Sequence, residues 1–445
     1  MNAADLLRTV EASLGRFVCA PPLRVCVGYS GGLDSTVLLH LAAAIRDRTG
    51  CTLSAVHVHH GLSPNADHWA AACAAVAASL GVPLSVQRVQ VAHDDGKGVE
   101  AAARAARYAV FEAVQADVLL LAHHRGDQGE TVLFNVLRGS GLAGLAGVPV
   151  QRALRSDLAL LRPLLRFGRA ELAAYAAAHG LRWIDDESNE NLHFRRNFLR
   201  HRALPVLAES FPAVETALVR VARHAAEAQA LLDEVLADDL LRCVQGCVFD
   251  LAAAAGFSPL RRNHALRGWL KQHGVVLDTR AFDEWLSQLD APADGQPALV
   301  WRERAIRRYR QQLHVTPASL LPGPALAITA DTVGALPGWS GCLGWQHQAG
   351  GLDAGLLRRA ALMLRPRQGS EALRLHAGGP SRQMKTLFQE RHVPPWLRAA
   401  TPLLYIDGEL AAVPGLGVAA AFAVADGVVP IWTIDDPATP AAQKS

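Results

Sequence analysis

A chain of 445 residues, half of them hydrophobic and 19% charged, is too long for one core and too apolar to remain mainly disordered. The longest uncharged apolar run near the C-terminus, 410–425, falls short of the ~20 residues a spanning helix needs and is broken by Pro414, Gly415 and Gly417. Asp5 and Glu11 interrupt the N-terminus where a secretory leader needs apolar residues, and the seven cysteines form no C-x-x-C, so reduced thiols and a cytoplasmic location are expected.

The net charge of +3 conceals a segregation. Segments 191–202 and 301–310 each carry +4 and segment 358–398 carries +7, which leaves −12 for the rest of the chain. Basic patches on an acidic body suit a polyanion, although arginine-rich solvated faces would give the same count.

From the N-terminus, apolar runs at 24–30, 52–58, 83–91 and 117–123 alternate with helical patterns at 35–46, 65–80, 99–115 and 127–138. Short strands alternating with longer helices imply βαβ units and a parallel sheet, with ligands beyond the strand C-terminal ends. Helical runs follow at 213–241 and 260–289. The Pro/Gly-rich stretch 316–344 reads as a linker with edge strands, and 356–432 as a small α+β module with one amphipathic segment at 381–392. The expected fold class is α/β: a catalytic domain over 1–212, a mainly helical domain over 213–315, a linker over 316–350 and an α+β domain over 351–435. The last residues, 436–445, read as a tail.

The strongest local signal is Ser30-Gly31-Gly32-Leu33-Asp34-Ser35, where the first strand meets the first helix of the sheet region. Two glycines let backbone N–H groups close on an anion, with Ser35 and the helix N-terminus adding donors and a positive dipole. The lysine of a Walker A loop is absent. A cradle whose fixed charge is an Asp suits pyrophosphate with Mg²⁺ between, hence cleavage between the α and β phosphates of ATP, with Asp34 as the candidate metal ligand. A plain Gly-Gly turn capped by serine is the bland reading.

Asp127 and Glu130, three residues apart on a helix, share a face at the mouth of the sheet. Such a pair can grip a primary amine and accept its proton. Arg104 and Arg107 could meet an α-phosphate or an amino-acid carboxylate, or be surface arginines. His57, His59, His60, His123 and His124 crowd two strand ends, but no Cys lies at ligand spacing and no H-E-x-x-H occurs, so hydrogen bonding is preferred to a metal.

The chain resembles the PP-loop ATP pyrophosphatase superfamily in SGGLDS. Within it, HVHHGLSPNADHW (57–69), EAAARAARY (100–108), AHHRGDQGETVLFNVLRGSG (122–141), WIDDESNENLHFRRNFLRHRALPVL (183–207) and VPPWLRAATPLLY (393–405) resemble the tRNA(Ile)-lysidine synthetase family in its long form, with two C-terminal domains. The resemblance implies an enzyme that uses ATP and Mg²⁺ to adenylate a cytidine of tRNA(Ile) with a CAU anticodon, then replaces AMP by L-lysine. It assigns Ser30, Gly31, Gly32, Leu33, Asp34, Ser35 and His57 to ATP and Asp127 and Glu130 to the lysine ammonium, beside which Arg104 and Arg107 are the candidate catalytic arginines. The basic patches add Arg195, Arg196, Arg200, Arg382, Lys385 and Arg391 as candidate tRNA contacts. Gly126 stands where related proteins commonly carry an Asp, and with Gly129 is expected to loosen that helix start. A PP-loop tRNA thiolase, which would want suitably placed cysteines, and a tRNA-binding protein with an inactive nucleotide site are the rival readings.

Overall fold

The computed structural model describes residues 3–17, 22–91, 99–185, 195–289 and 298–434. The residues 186–194 of the WIDDESN motif and the expected tail at 436–445 lie outside them. The chain divides into two compact units, Met1–Asp233 and Glu234–Ser445.

The first unit runs α1 (Ala3–Gly15), β1 (Arg24–Gly28), α2 (Leu33–Thr49), β2 (Thr52–His59), α3 (Ala66–Ser79), β3 (Leu84–Arg88), α4 (Val99–Ala113), β4 (Val118–Leu120), α5 (Arg125–Leu137), α6 (Leu142–Leu145), β5 (Gln151–Arg155), β6 (Leu158–Leu161), α7 (Arg169–Ala178), α8 (Arg195–Phe198), a π-helical turn (Leu199–Ala203) and α9 (Leu204–Ser210). Its sheet has the order β3-β2-β1-β4-β6-β5, parallel throughout except for the β5–β6 pair.

Alternation along the central strands explains why both faces are covered. Val25, Val27, Val118 and Leu120 enter a cluster with Leu38, Leu41, Phe167 and Leu172, whereas Cys26, Leu119 and Leu121 point the other way, into a cluster with Val56 and Phe111. The chain leaves β1 for β2 on one side and returns to β4 on the other, so the topological switch lies between β1 and β4. The crevice beyond the carboxyl ends of those two strands is the place such a sheet offers a ligand.

Helix α10 (Val214–Cys243) runs from the first unit into the second. There β7 (Val244–Gln245), β8 (Val248–Asp250), α11 (Pro259–Gln272), α12 (Thr279–Leu289), β9 (Ala298–Trp301), β10 (Arg304–Tyr309) and β11 (Gln312–Pro317) form an antiparallel sheet, β7-β8-β11-β10-β9, around Phe249, Trp269, Phe282 and Trp285. The expected helices are present, but the arginine-rich 301–310 is mostly strand. Its hairpin turns carry Arg302 and Arg310 at positive φ (55° each) where Gly or Asn would have announced them.

The remainder comprises β12 (Leu326–Ile328), β13 (Gly334–Ala335), β14 (Gly341–Gln348), β15 (Gly351–Leu352), α13 (Ala354–Arg359), β16 (Leu362–Arg365), β17 (Ala372–Leu373), β18 (Arg382–Gln383), α14 (Met384–Glu390), α15 (Pro395–Ala400), β19 (Leu403–Ile406), β20 (Glu409–Val413), β21 (Gly417–Val418), β22 (Ala423–Val424) and β23 (Gly427–Ile434). Two five-stranded sheets, β12-β16-β19-β20-β21 and β13-β14-β23-β15-β22, share one core. The stretch 316–350 is therefore not a linker: β12 pairs with β16, and β14 pairs over its whole length with β23. Its prolines and glycines sit between short strands. Among the described residues no helix is long and apolar enough to cross a membrane.

Candidate active site

Strand β1 ends at Gly28 and the chain turns through Ser30, Gly31 and Gly32 into α2. Gly31 has φ +90°, and a Cβ there would lie 2.7 Å from both Cys73 Sγ and Ile184 Cδ1, so only glycine fits. Ser35 Oγ accepts the Gly31 N–H at 3.1 Å, donates to the Gly32 carbonyl at 3.0 Å and lies 3.0 Å from Ser30 Oγ. Thr36 Oγ1 donates to the Gly31 carbonyl at 3.3 Å. The loop is thus shaped by its own hydroxyls, and no side chain caps α2 at Gly32. Ser30, Gly32, Asp34, Ser35 and His57 line one cavity of about 820 Å³ with Val56, Phe111, Trp69 and Leu121; Gly31 and Leu33 are buried behind it.

His57 is buried and its Nδ1 lies 2.9 Å from the Tyr29 carbonyl oxygen, an anchor that leaves its backbone on the cavity wall. His59 meets Asp67 at 3.1 Å, His123 Nδ1 accepts from Arg162 Nε at 3.3 Å, and His124 begins α5. His57, His59, His123 and His124 therefore have hydrogen-bonding tasks, whereas His60 Nδ1 is buried without a hydrogen-bond partner; among the described residues no three His, Cys, Asp or Glu side chains are grouped to hold a metal.

A second cavity, of about 650 Å³, adjoins the first through His60, Arg107, His123 and Asp127, which line both. Its wall carries Glu130, Arg104, Arg152, Arg162, Arg196 and Arg200. Asp127 and Glu130 do share one face of α5, and the cation between them is Arg200. Arg200 Nε lies 2.5 Å from Glu130 Oε1, while its Nη2 lies 3.1 Å from Glu130 Oε2 and 3.0 Å from Asp127 Oδ1. Arg200, expected on tRNA, is thus turned inward. It sits in the π-helical turn beside α5, where two half-buried or buried carboxylates need a countercharge.

Burial pushes the Asp34 carboxyl up, and the nearby Asp127 charge adds to this against the His124 ring; one Asp34 oxygen, Oδ1, is buried without a hydrogen-bond partner. Burial likewise pushes Glu130 up against the opposing Arg200 guanidinium. Asp127 is also penalised by burial, but His124, His123, the His124 amide and Arg200 together hold it below the usual carboxylate range.

Arg104 is exposed and lies over the Tyr108 ring at 5.0 Å, with Arg152 over the same ring at 4.8 Å and Arg162 Nη2 donating to its hydroxyl at 3.3 Å. Arg162 is only 2% exposed, a buried cation on the cavity wall. Tyr108, Arg152, Arg162 and His124 were not singled out as site residues by sequence. Tyr108 lies in EAAARAARY and His124 in AHHRGDQGETVLFNVLRGSG, but nothing in either spacing distinguishes a site residue from a surface one.

The expected loosening at Gly126 and Gly129 does not occur. His124 Nδ1 accepts the Gly126 N–H at 2.9 Å and Asp127 Oδ2 accepts the His124 N–H at 2.9 Å, so α5 starts with a reciprocal cap. The other candidate tRNA contacts are exposed or line the second cavity. Arg195 is exposed on α8 and Arg196 half-buried at the second cavity, while Arg382, Lys385 and Arg391 are exposed in the second unit. Cys73, packed against the SGGLDS loop, is fully buried and its thiol is pushed up to about 12 by burial.

Residues 6–207 match the PP-loop domain, 249–314 the TilS substrate binding domain and 362–432 the TilS substrate C-terminal domain. The chain is 43% identical over 413 residues to the tRNA(Ile)-lysidine synthase of Chromobacterium violaceum, covering 91% of this chain and 94% of that one. The enzyme of the same name from Azoarcus sp. is 40% identical over 461 residues, covering 99% and 96%. With likeness at this level over nearly its full length, the chain belongs to the tRNA(Ile)-lysidine synthase family.

Proposed function

We propose that this chain is an ATP-dependent ligase that joins L-lysine to the cytidine at the first anticodon position of tRNA(Ile) carrying CAU, working in the cytoplasm. The observation that carries the reading is the adjacency of the SGGLDS cavity to the one holding Asp127 and Glu130: one for a nucleotide, one for an amine, sharing Asp127 and Arg107.

The triphosphate lies along the Ser30–Ser35 loop, with the N–H groups at the start of α2 and the helix dipole facing its charge. The unpartnered Asp34 oxygen fits a Mg²⁺ ion held otherwise by phosphates and water, which would neutralise the departing pyrophosphate. The cytidine C2 carbonyl oxygen attacks the α-phosphorus and pyrophosphate leaves. Asp127 and Glu130 hold the lysine ε-ammonium, and one of them takes its proton; the free amine then attacks C2 and AMP departs with the former carbonyl oxygen. Arg107, on the wall between the cavities, faces the α-phosphate, and Arg104 faces the lysine carboxylate. A lysine already in place when C2 is activated competes with water for the reactive carbon.

Arg200 occupies the ammonium position until lysine arrives, so lysine must displace or share it. Arg195 and Arg196 beside the site, and Arg382, Lys385 and Arg391 in the second unit, supply phosphate contacts to the tRNA. Sulfur transfer is disfavoured by the buried, protonated Cys73 at the loop, and an inactive pocket by intact Ser30, Asp34, Asp127 and Glu130. The test is incubation with unmodified tRNA(Ile), radiolabelled lysine and ATP. Label in the tRNA with AMP as the nucleotide product supports the reading; ADP, or no label, rejects it.

A further inference from the structure

His124 stands behind both acids without lining either cavity, and its ring is 4% exposed. Its Nδ1 accepts the Gly126 N–H at 2.9 Å, so the proton of a neutral ring sits on Nε2. That Nε2 is buried, has no hydrogen-bond partner, and lies 3.6 Å from Asp34 Oδ2 and 3.8 Å from Asp127 Oδ2. Asp34 belongs to the phosphate loop and Asp127 to the amine-binding pair, so one imidazole stands between the two halves of the site. Buried polar atoms left without partners are rare in folded proteins and call for an explanation. Here Asp34 Oδ1 and His124 Nε2 are both in that state, within one cluster.

Resting on the function proposed above, we infer that His124 is a positioning residue: pinned by the Gly126 amide, it offers its Nε2–H to Asp34 and Asp127 and fixes their separation as ATP and lysine are brought together. It acts through the two carboxylates and does not itself touch substrate. A rigid donor at this place offsets the repulsion between two acids that must both face the reacting groups.

Gly126 leaves room for the ring in its present position. A Cβ at 126 would lie 2.7 Å from His124 Cε1 and 3.1 Å from its Nδ1, and the ring cannot yield without giving up the bond that fixes it.

The experiment is a double-mutant cycle in the full chain with His124→Ser, Gly126→Ala and both together. It measures Tm, the apparent KM for ATP and for lysine, and kcat for lysine incorporation into tRNA. Serine retains an acceptor for the Gly126 N–H and so keeps the helix cap, but removes Nε2. We expect His124→Ser to melt close to wild type and to lose about 10- to 100-fold in kcat, the scale of a reacting group displaced by about 1 Å, with KM values nearly unchanged. Gly126→Ala should lose as much alone and nothing further in the serine background. Full kcat in His124→Ser would reduce the ring to a cap and overturn the inference; so would an alanine effect at 126 that persists without the ring. The wild-type enzyme run alongside separates the two claims: failure of wild type to incorporate lysine contradicts the function, whereas the ratios among variants test His124.

Discussion

Two regions that both carry an excess of positive charge end in different circumstances. In 195–202 one of four arginines, Arg200, is drawn into a three-contact bridge with Asp127 and Glu130. In 358–398 the charges find modest local partners: Arg382 pairs with Glu390, Arg365 lies over Tyr405 at 4.7 Å and Arg398 donates to the Val393 carbonyl at 2.8 Å, while Lys385 and Arg391 stay exposed. A run of positive charge does not say what it binds; the acids and rings within reach decide. Where buried carboxylates wait, an arginine becomes part of the site, and elsewhere it remains available to a polyanion.

The largest expected effect falls on the Ser30–Ser35 loop. Asp34→Ala should lower pyrophosphate release about 10³-fold or more while tRNA affinity stays within a few-fold, because it removes the acid facing the phosphates and no basic contact. Near-normal AMP formation would remove Asp34 from the ATP site.

Glu130→Gln and Asp127→Asn should raise the apparent KM for lysine about 10- to 100-fold, the cost of lost charged hydrogen bonds, while tRNA adenylation without lysine remains detectable. The same reasoning fixes a pH dependence. Glu130 must be ionised to hold an ammonium, and burial raises its proton affinity, so lysine-dependent turnover is lost as pH falls at values above the usual carboxylate range. An acidic limb in the ordinary carboxylate range, or unchanged lysine kinetics in both variants, would end this role.

Arg200→Ala bears directly on the comparison. It removes the resident cation, so the lysine KM should fall roughly 3- to 10-fold even if turnover slows, and the apo-protein should melt lower than wild type but regain Tm with added lysine. If Arg200 only contacts tRNA, the lysine KM and the apo Tm will not move.

The smallest effect belongs to the second region. Lys385→Glu with Arg391→Glu should weaken tRNA binding a few-fold and flatten the dependence of log K on log salt by about one to two units, leaving pyrophosphate exchange intact. An unchanged slope would leave the residues at 195–202 as the main tRNA contact. Truncation near residue 350 would not serve, because it would strip β14 of its partner β23.

Much of the first unit was legible in the sequence because each cue was local. SGGLDS needs only its glycines and hydroxyls, and the alternating strand and helix patterns predicted every element from 24 to 138 to within a few residues. Asp127 and Glu130 could be paired from helical spacing alone. Their partner could not: Arg200 is 70 residues from Glu130, and only the fold brings the two together. The middle sheet is not legible because arginines occupy its hairpin turns; edge strands are expected in 316–344, but a Pro/Gly-rich composition marks turns without showing what pairs across them. Trp396 belongs to α15 in the small module. It lies edge-on to Tyr309 at 6.1 Å and His314 at 5.6 Å, residues of β10 and β11, a contact between segments some 80 to 90 residues apart in sequence that no local pattern encodes.

The central claim, that a carbonyl oxygen of the tRNA is activated by adenylation and carried off by AMP, has a direct test. A tRNA(Ile) bearing ¹⁸O at C2 of the first anticodon cytidine is converted with lysine and ATP, and the AMP is examined by mass spectrometry. The account predicts one ¹⁸O on the AMP phosphate for each lysine incorporated; AMP free of label, with lysine nonetheless joined to the tRNA, would contradict it.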